Sequence, residues 1–129
     1  MDTQKTILVV EDDHNLLQAL DRVLTVNGFA VIPCLNGRQA LESLTKTFNL
    51  PDAICLDYYL PDMNGTDFML RLNRSEIWKD IPVLILSNSD EEESEKSTLA
   101  LGAKIYMLKT QYQLDDVVAQ INKLLLTAE

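Results

Sequence analysis

Five times along this chain a short apolar run is followed by a stretch with apolar residues at helical spacing, and the alternation is never interrupted. That pattern constrains the fold more than any single motif. Strands separated by helices pair in parallel, because each connection must cross the sheet, and the crossovers are right-handed. Continuously apolar strands are the kind buried on both faces.

The first run is Thr6-Ile7-Leu8-Val9-Val10, ending in Glu11-Asp12-Asp13. Leu16, Leu17, Leu20, Val23 and Leu24 then share one helical face, and Asn27-Gly28 supplies its stop. Phe29-Ala30-Val31-Ile32 reads as a second strand closed near Pro33, which a central strand tolerates poorly. Asn36-Gly37 opens a second helix with Ala40, Leu41, Leu44 and Phe48 as its predicted core stripe. The third run, Ala53-Ile54-Cys55-Leu56, ends in Asp57, after which Pro61 and Asn64-Gly65 turn the backbone. Phe68, Met69 and Leu72 mark a third helix, and Pro82-Val83-Leu84-Ile85-Leu86-Ser87 a fourth strand. The segment from Asp90 to Leu101 begins almost wholly acidic, with an apolar face of little more than Leu99, Ala100 and Leu101. After Gly102 come a last strand, Lys104 to Lys109, and a helix with Val117, Val118, Ile121, Leu124 and Leu125 on one stripe. At 129 residues the expected architecture is a single α/β domain, 1–129, with no output domain. Its sheet is a doubly wound, five-stranded parallel one in the flavodoxin-like order 2-1-3-4-5, with helices on both faces.

Composition narrows the partners. A formal charge of −9 without a basic patch argues against direct DNA binding, since phosphate contacts need clustered Lys and Arg. No segment is long and apolar enough to span a bilayer, so no membrane insertion and a cytoplasmic location are expected. Cys34 and Cys55 lie inside apolar runs without metal-ligand spacing and read as buried thiols.

In such a sheet the carboxyl ends of strands one, three, four and five share one edge. They carry Glu11 with Asp12, then Asp57, Ser87 and Lys109. Three carboxylates in one crevice repel one another unless a cation sits among them, and an all-oxygen set suits Mg²⁺. With Ser87 as hydrogen-bond donor and Lys109 as counter-charge, the set describes a pocket for a phosphoryl group.

The four motifs together resemble the receiver domain of two-component response regulators, over essentially the whole chain. The acidic pair after strand one, Asp57 with Leu60-Pro61-Asp62-Met63-Asn64-Gly65, the strand ending in Ser87, and Ala103-Lys104-Ile105-Tyr106-Met107-Leu108-Lys109 carry the resemblance. It implies a chemotaxis-regulator-like switch. Asp57 would accept a phosphoryl group from a phosphohistidine of a sensor histidine kinase or histidine phosphotransfer protein. Asp12 and Asp57 would bind Mg²⁺ directly, Glu11 through water, and the Tyr59 backbone carbonyl would complete the protein ligands. Ser87 and Lys109 would hold phosphoryl oxygens, and Tyr106 would change rotamer as Ser87 moves. The output would be contact with a downstream protein, with homodimerisation an open option. Beyond self-phosphorylation and self-dephosphorylation, no enzyme activity is implied.

Three positions depart from the commonest pattern. Thr110 follows Lys109 where many relatives have proline, and a cis Lys-Thr bond would cost about 3 kcal/mol, so a trans bond is expected. Asn88 stands where a small residue is usual and is expected to crowd the pocket. Tyr59, with Ser89, is expected to screen the attacking water and lengthen the life of the phosphoryl group.

Plainer roles are expected elsewhere: Asp13 as cap of the first helix, Glu91-Glu92-Glu93 as a solvated helix start, His14 at the surface and Trp78 over the core edge. Tyr106 reads equally as packing at a strand end. The alternative function is an adaptor of the same fold that works without phosphorylation. An aspartate-nucleophile phosphohydrolase would want an acid where Tyr59 stands, and a flavin site would need a phosphate cradle where Glu11-Asp12-Asp13 would repel it.

Overall fold

A computed structural model describes residues 4–127. The elements, in order, are β1 (Thr6–Val10), α1 (His14–Val26), β2 (Ala30–Cys34), α2 (Gly37–Lys46) and β3 (Ala53–Asp57). They continue with α3 (Gly65–Asn73), β4 (Val83–Ser87), α4 (Glu92–Ala100), β5 (Ile105–Leu108) and α5 (Leu114–Thr127). All strand pairs are parallel and the sheet order is β2-β1-β3-β4-β5, as the alternation predicts. Side chains of successive strand residues point to opposite faces, so each buried strand feeds two cores. Ile7, Val9, Cys55 and Leu84 join Leu20 and Leu24 of α1 and Val118, Ile121 and Leu124 of α5. Leu8, Val10, Ile54 and Ile85 join Ala40 and Leu44 of α2 and Phe68 and Leu72 of α3.

Local chemistry sets the boundaries. Asp13 caps α1 by accepting from the N–H groups of Asn15 and Leu16. Asn64 and Asp67 form a reciprocal capping box at the start of α3. Gly28 and Gly102 close α1 and α4 at φ of 94° and 108°, a region other residues avoid. The Lys109–Thr110 bond is trans, there being no cis peptide among the described residues. Cys34 and Cys55 are both buried and unpaired; burial pushes their thiols up to about 11 and about 12, with Glu11 and Asp57 raising Cys55 further against the pull of Lys109.

Three expectations fail. β2 does not stop before Pro33 but runs through it to Cys34. It is an edge strand paired only with β1, so the missing N–H breaks no ladder bond. Phe48 is no part of a core stripe: α2 ends at Lys46, and the ring is 104% exposed. Of the expected apolar face of α4, Leu101 packs partly buried against the second core, but Leu99 and Ala100 are exposed, and the inner face of the helix itself is the buried hydroxyl residues Ser94 and Thr98. Trp78, by contrast, packs partly buried against the second core.

Candidate functional site

The parallel sheet brings the strand ends together as anticipated. Asp57 closes β3 and is 5% exposed; Glu11 directly follows β1 and is 1% exposed. Asp12, next along, faces solvent. One carboxylate oxygen from each of Glu11, Asp12 and Asp57 lies within 4.8 Å of the others. Lys109, just past β5, is tied into the sheet edge by its N–H donating to the Ser87 carbonyl at 2.8 Å. Its Nζ donates to Glu11 Oε1 at 2.7 Å and stands 3.3 Å from Asp57 Oδ1. Glu11 Oε2 accepts from the Asp13 N–H at 3.2 Å, so that carboxylate is gripped from both sides.

The electrostatics follow from this crowding. Burial, reinforced by Glu11, pushes Asp57 up to about 7, with Lys109 pulling the other way. Burial would lower Lys109, but its bond to Glu11 and the nearby Asp57 carboxylate win and raise it. A buried carboxylate pair with one ammonium between them is under-neutralised by one charge. Its all-oxygen donor set, open on the exposed Asp12 side, fits a hard divalent cation.

Ser87 is completely buried at the end of β4, where its Oγ accepts from the Ser89 N–H at 3.0 Å. Tyr106, partly buried in β5, donates its hydroxyl to the Ser89 carbonyl at 3.1 Å, so both residues hold the same loop. Asn88 is exposed rather than crowded against the acids. Tyr59 is 46% exposed, stacks edge-on against Tyr58 with centroids 4.8 Å apart, and donates to Glu91 Oε1 at 3.2 Å. Glu91 is therefore more than a solvated helix start. The turn carrying Tyr59 is held by a Tyr59–Asn64 bridge and by the Leu60 N–H donating to the Met63 carbonyl.

Sequence reasoning missed two contributions. Asp62 spans to another element, its two oxygens accepting from the N–H groups of Gly37 and Arg38 at 2.9 Å each. Burial raises its carboxyl, but those two donors outweigh burial and hold it low. A Cβ on Gly37 would sit 2.5 Å from Met63 Sδ, so the Met63 side chain of the β3–α3 loop packs directly on the start of α2 and would have to move for any larger residue there. The second is a hydroxyl chain: Tyr58 Oη lies 3.0 Å from Thr66 Oγ1, which lies 2.8 Å from Ser97 Oγ on α4. Neither has a sequence signal, since both join residues on separate elements.

Comparisons with known proteins bear on the family and the fold. The response regulator receiver domain profile matches residues 7–122. The transcriptional regulatory protein PrrA of Mycobacterium tuberculosis is 36% identical over 123 residues, 95% of this chain and 51% of its own length. The phosphate regulon transcriptional regulatory protein PhoB of Escherichia coli is 34% identical over 117 residues, 91% of this chain and 50% of its length. The chain thus spans about half the length of these curated relatives. Among solved structures, a putative response regulator from Chloroflexus aurantiacus superposes with a TM-score of 0.86 at 28% identity, covering 95% of this chain and 98% of that one. The phosphorylated cyanobacterial phytochrome response regulator RcpA gives 0.86 at 25% identity, over 98% of this chain and 97% of that one. A sheet of this order with its acids and lysine gathered at one edge, matched by a profile over nearly its full length, makes this chain a member of the response regulator receiver domain family.

Proposed function

We propose that this chain is a phosphorylation switch whose phosphoacceptor is Asp57. The observation that carries the proposal is the placement of Lys109 Nζ against both Glu11 and Asp57, with Asp12 beside them. An Asp57 carboxylate oxygen attacks the phosphorus of a phosphohistidine on a sensor histidine kinase or phosphotransfer protein. The P–N bond breaks, its electron pair returns to the imidazole nitrogen, and a P–O bond forms to give an acyl phosphate. Hydrolysis reverses the state: water attacks phosphorus, the P–O bond breaks, and the carboxylate is restored. Mg²⁺, held by Asp12, Asp57, the Tyr59 carbonyl and, through water, Glu11, would supply charge neutralisation in both steps. Lys109 and Ser87 hold phosphoryl oxygens, and a shift of Ser87 reaches Tyr106 through the Ser89 loop that both contact.

The reading extends to a cytoplasmic regulator that signals through protein contact, makes no DNA contact through this chain and has no catalytic activity on other substrates. Tyr59, bonded to Glu91, shields the pocket and lengthens the phosphoryl lifetime to minutes or more; a half-life of seconds would sink that part. The central test is intact mass after incubation with a small acyl phosphate. Gain of one phosphoryl group that requires Mg²⁺ and vanishes in Asp57→Asn is expected. No gain under any condition would favour the phosphorylation-independent adaptor.

A further inference from the structure

The loop between β3 and α3 carries the one backbone atom of the proposed metal set, the Tyr59 carbonyl, and runs along the surface with Pro61 and Asp62 exposed. Whatever gives this loop a fixed position is therefore part of the site. Its two sides meet in a short antiparallel bridge between Tyr59 and Asn64. The bonds of that bridge belong to the flanking residues: the Gly65 N–H donates to the Tyr58 carbonyl at 2.7 Å and the Leu60 N–H to the Met63 carbonyl at 3.2 Å. In an antiparallel pair of this kind the two facing residues turn their own N–H and C=O groups away from each other. The bridge thus spares the Tyr59 carbonyl, whose direction follows the tilt of the loop as a whole.

The inner end of the loop is fixed to the sheet. The Tyr58 N–H donates to the Leu86 carbonyl at 2.8 Å, and the Tyr58 ring lies so near Gly65 that a Cβ there would come within 2.7 Å of it. The outer end is tied to a different element. Asp62 sends both carboxylate oxygens across to α2, accepting from the Gly37 and Arg38 N–H groups at 2.9 Å each, and Met63 packs on Gly37 beside it. α2 also has a cap of its own, since Asn36 accepts from the Gln39 N–H at 2.8 Å. A charged, two-oxygen grip on two N–H groups of a helix start fixes the orientation of the loop tip as well as its distance, which a single bond would not.

We propose that Asp62 is a positioning residue for the metal. By clamping the β3–α3 loop to α2 it sets where the Tyr59 carbonyl stands, and so strengthens binding of a divalent cation at the Glu11–Asp12–Asp57 edge. The inference rests on the reading of that edge as a Mg²⁺ site. Asp62 acts through the backbone and not by touching the cation, because both its oxygens are engaged on α2.

Mg²⁺ titration of the metal-free protein, followed by the amide resonances of Asp12, Tyr58 and Leu60 and without any phosphodonor, tests this separately from the chemistry of Asp57. Asp62→Asn, which keeps the shape, and Asp62→Ala should each raise the Mg²⁺ Kd roughly fivefold to tenfold, at or below the low end for partners that bond a metal ligand directly. The rise should persist at about 0.5 M salt, where the Debye length is about 4 Å and a mere loss of negative charge is screened. Asn36→Ala weakens the start of α2 without touching the loop, and should leave the Mg²⁺ Kd unchanged. Before metal is added, amide exchange at Leu60 and Gly65 should be faster in the Asp62 variants and not in Asn36→Ala. A wild type that binds Mg²⁺ no better than both Asp62 variants overturns this inference and leaves the metal reading intact. An equal loss in Asn36→Ala overturns it in favour of a general role in capping α2. A Kd rise that disappears at high salt overturns it in favour of net charge alone. A wild type with no Mg²⁺ response overturns the metal reading and this inference with it.

Discussion

Helices α4 and α5 precede and follow the same strand, β5, yet are held by opposite means. α5 buries Val117, Val118, Ile121 and Leu124 in the core it shares with α1. α4 buries Ser94 and Thr98, and Thr98 Oγ1 spends its bond on the Ser94 carbonyl of the same helix at 2.8 Å. Its outward polar ties are Thr66 to Ser97, Tyr59 to Glu91 and Asn73 to the Leu101 carbonyl, and its apolar anchor is Leu101, partly buried against the second core just past the last turn. An apolar face is cohesive over its whole area, whereas each hydrogen bond exchanges with water at a net value near 1 kcal/mol. The first arrangement fixes a helix; the second leaves it free to take another set of partners. The Ser87–Ser89–Tyr106 contacts lead to the α4 side, where movement is least costly.

The largest effect should come from the charge stored at the sheet end. Asp57 sits at about 7 in the fold against 3.8 for an ordinary carboxyl, so its ionised form works against folding. That penalty is absent below about pH 4, grows as pH rises, and is complete above about pH 7. Without divalent cations, Asp57→Asn should therefore be more stable than wild type by up to about 4 kcal/mol near pH 8, with the gap closing by pH 4. Urea titrations across pH in EDTA check this, and equal stabilities at pH 8 would refute it. If the strain is borne on the α4 side, amide exchange in the variant should slow more there than in α5.

Next in size, Ile121→Ala should cost about 3 kcal/mol in urea unfolding, because it opens a cavity under a fully buried side chain. Thr98→Val, which keeps the shape and removes the hydroxyl, should cost about 1 kcal/mol. Equal costs for these two would break the contrast between the helices. Smallest, Ser97→Ala should change global stability by about 0.5 kcal/mol but measurably speed amide exchange in α4, with α5 unaffected.

Much of this was legible in the sequence. The strand–helix alternation pointed to the sheet order, and the runs ending in Glu11, Asp57, Ser87 and Lys109 to the cluster, because a parallel sheet puts every such end on one edge. Asp13 was readable as a cap, since its partners lie two and three residues ahead. What escaped depended on neighbours remote in the chain. Pro33 is tolerated only because β2 has nothing on its outer side, a fact of sheet order rather than of local pattern. Asp62 finds its donors on α2, 24 and 25 residues away. The inner face of α4 was misassigned because hydroxyl residues that satisfy themselves within a helix carry no hydrophobic signature. Lys109, expected as the counter-charge to the three acids, lies 0.6 Å closer to Glu11 than to Asp57, a preference that no motif specifies.

The two thiols give the protein a built-in stopwatch. With Cys34 near 11 and Cys55 near 12, almost none of either is in the reactive anionic form while the sheet is closed. Alkylation therefore counts openings. Cys34 needs only the outermost strand to peel away, whereas Cys55, hemmed in between two neighbours, reacts only when the centre itself comes apart. Two labelling rates on one unmodified chain would time the fraying of its margin against its complete unfolding.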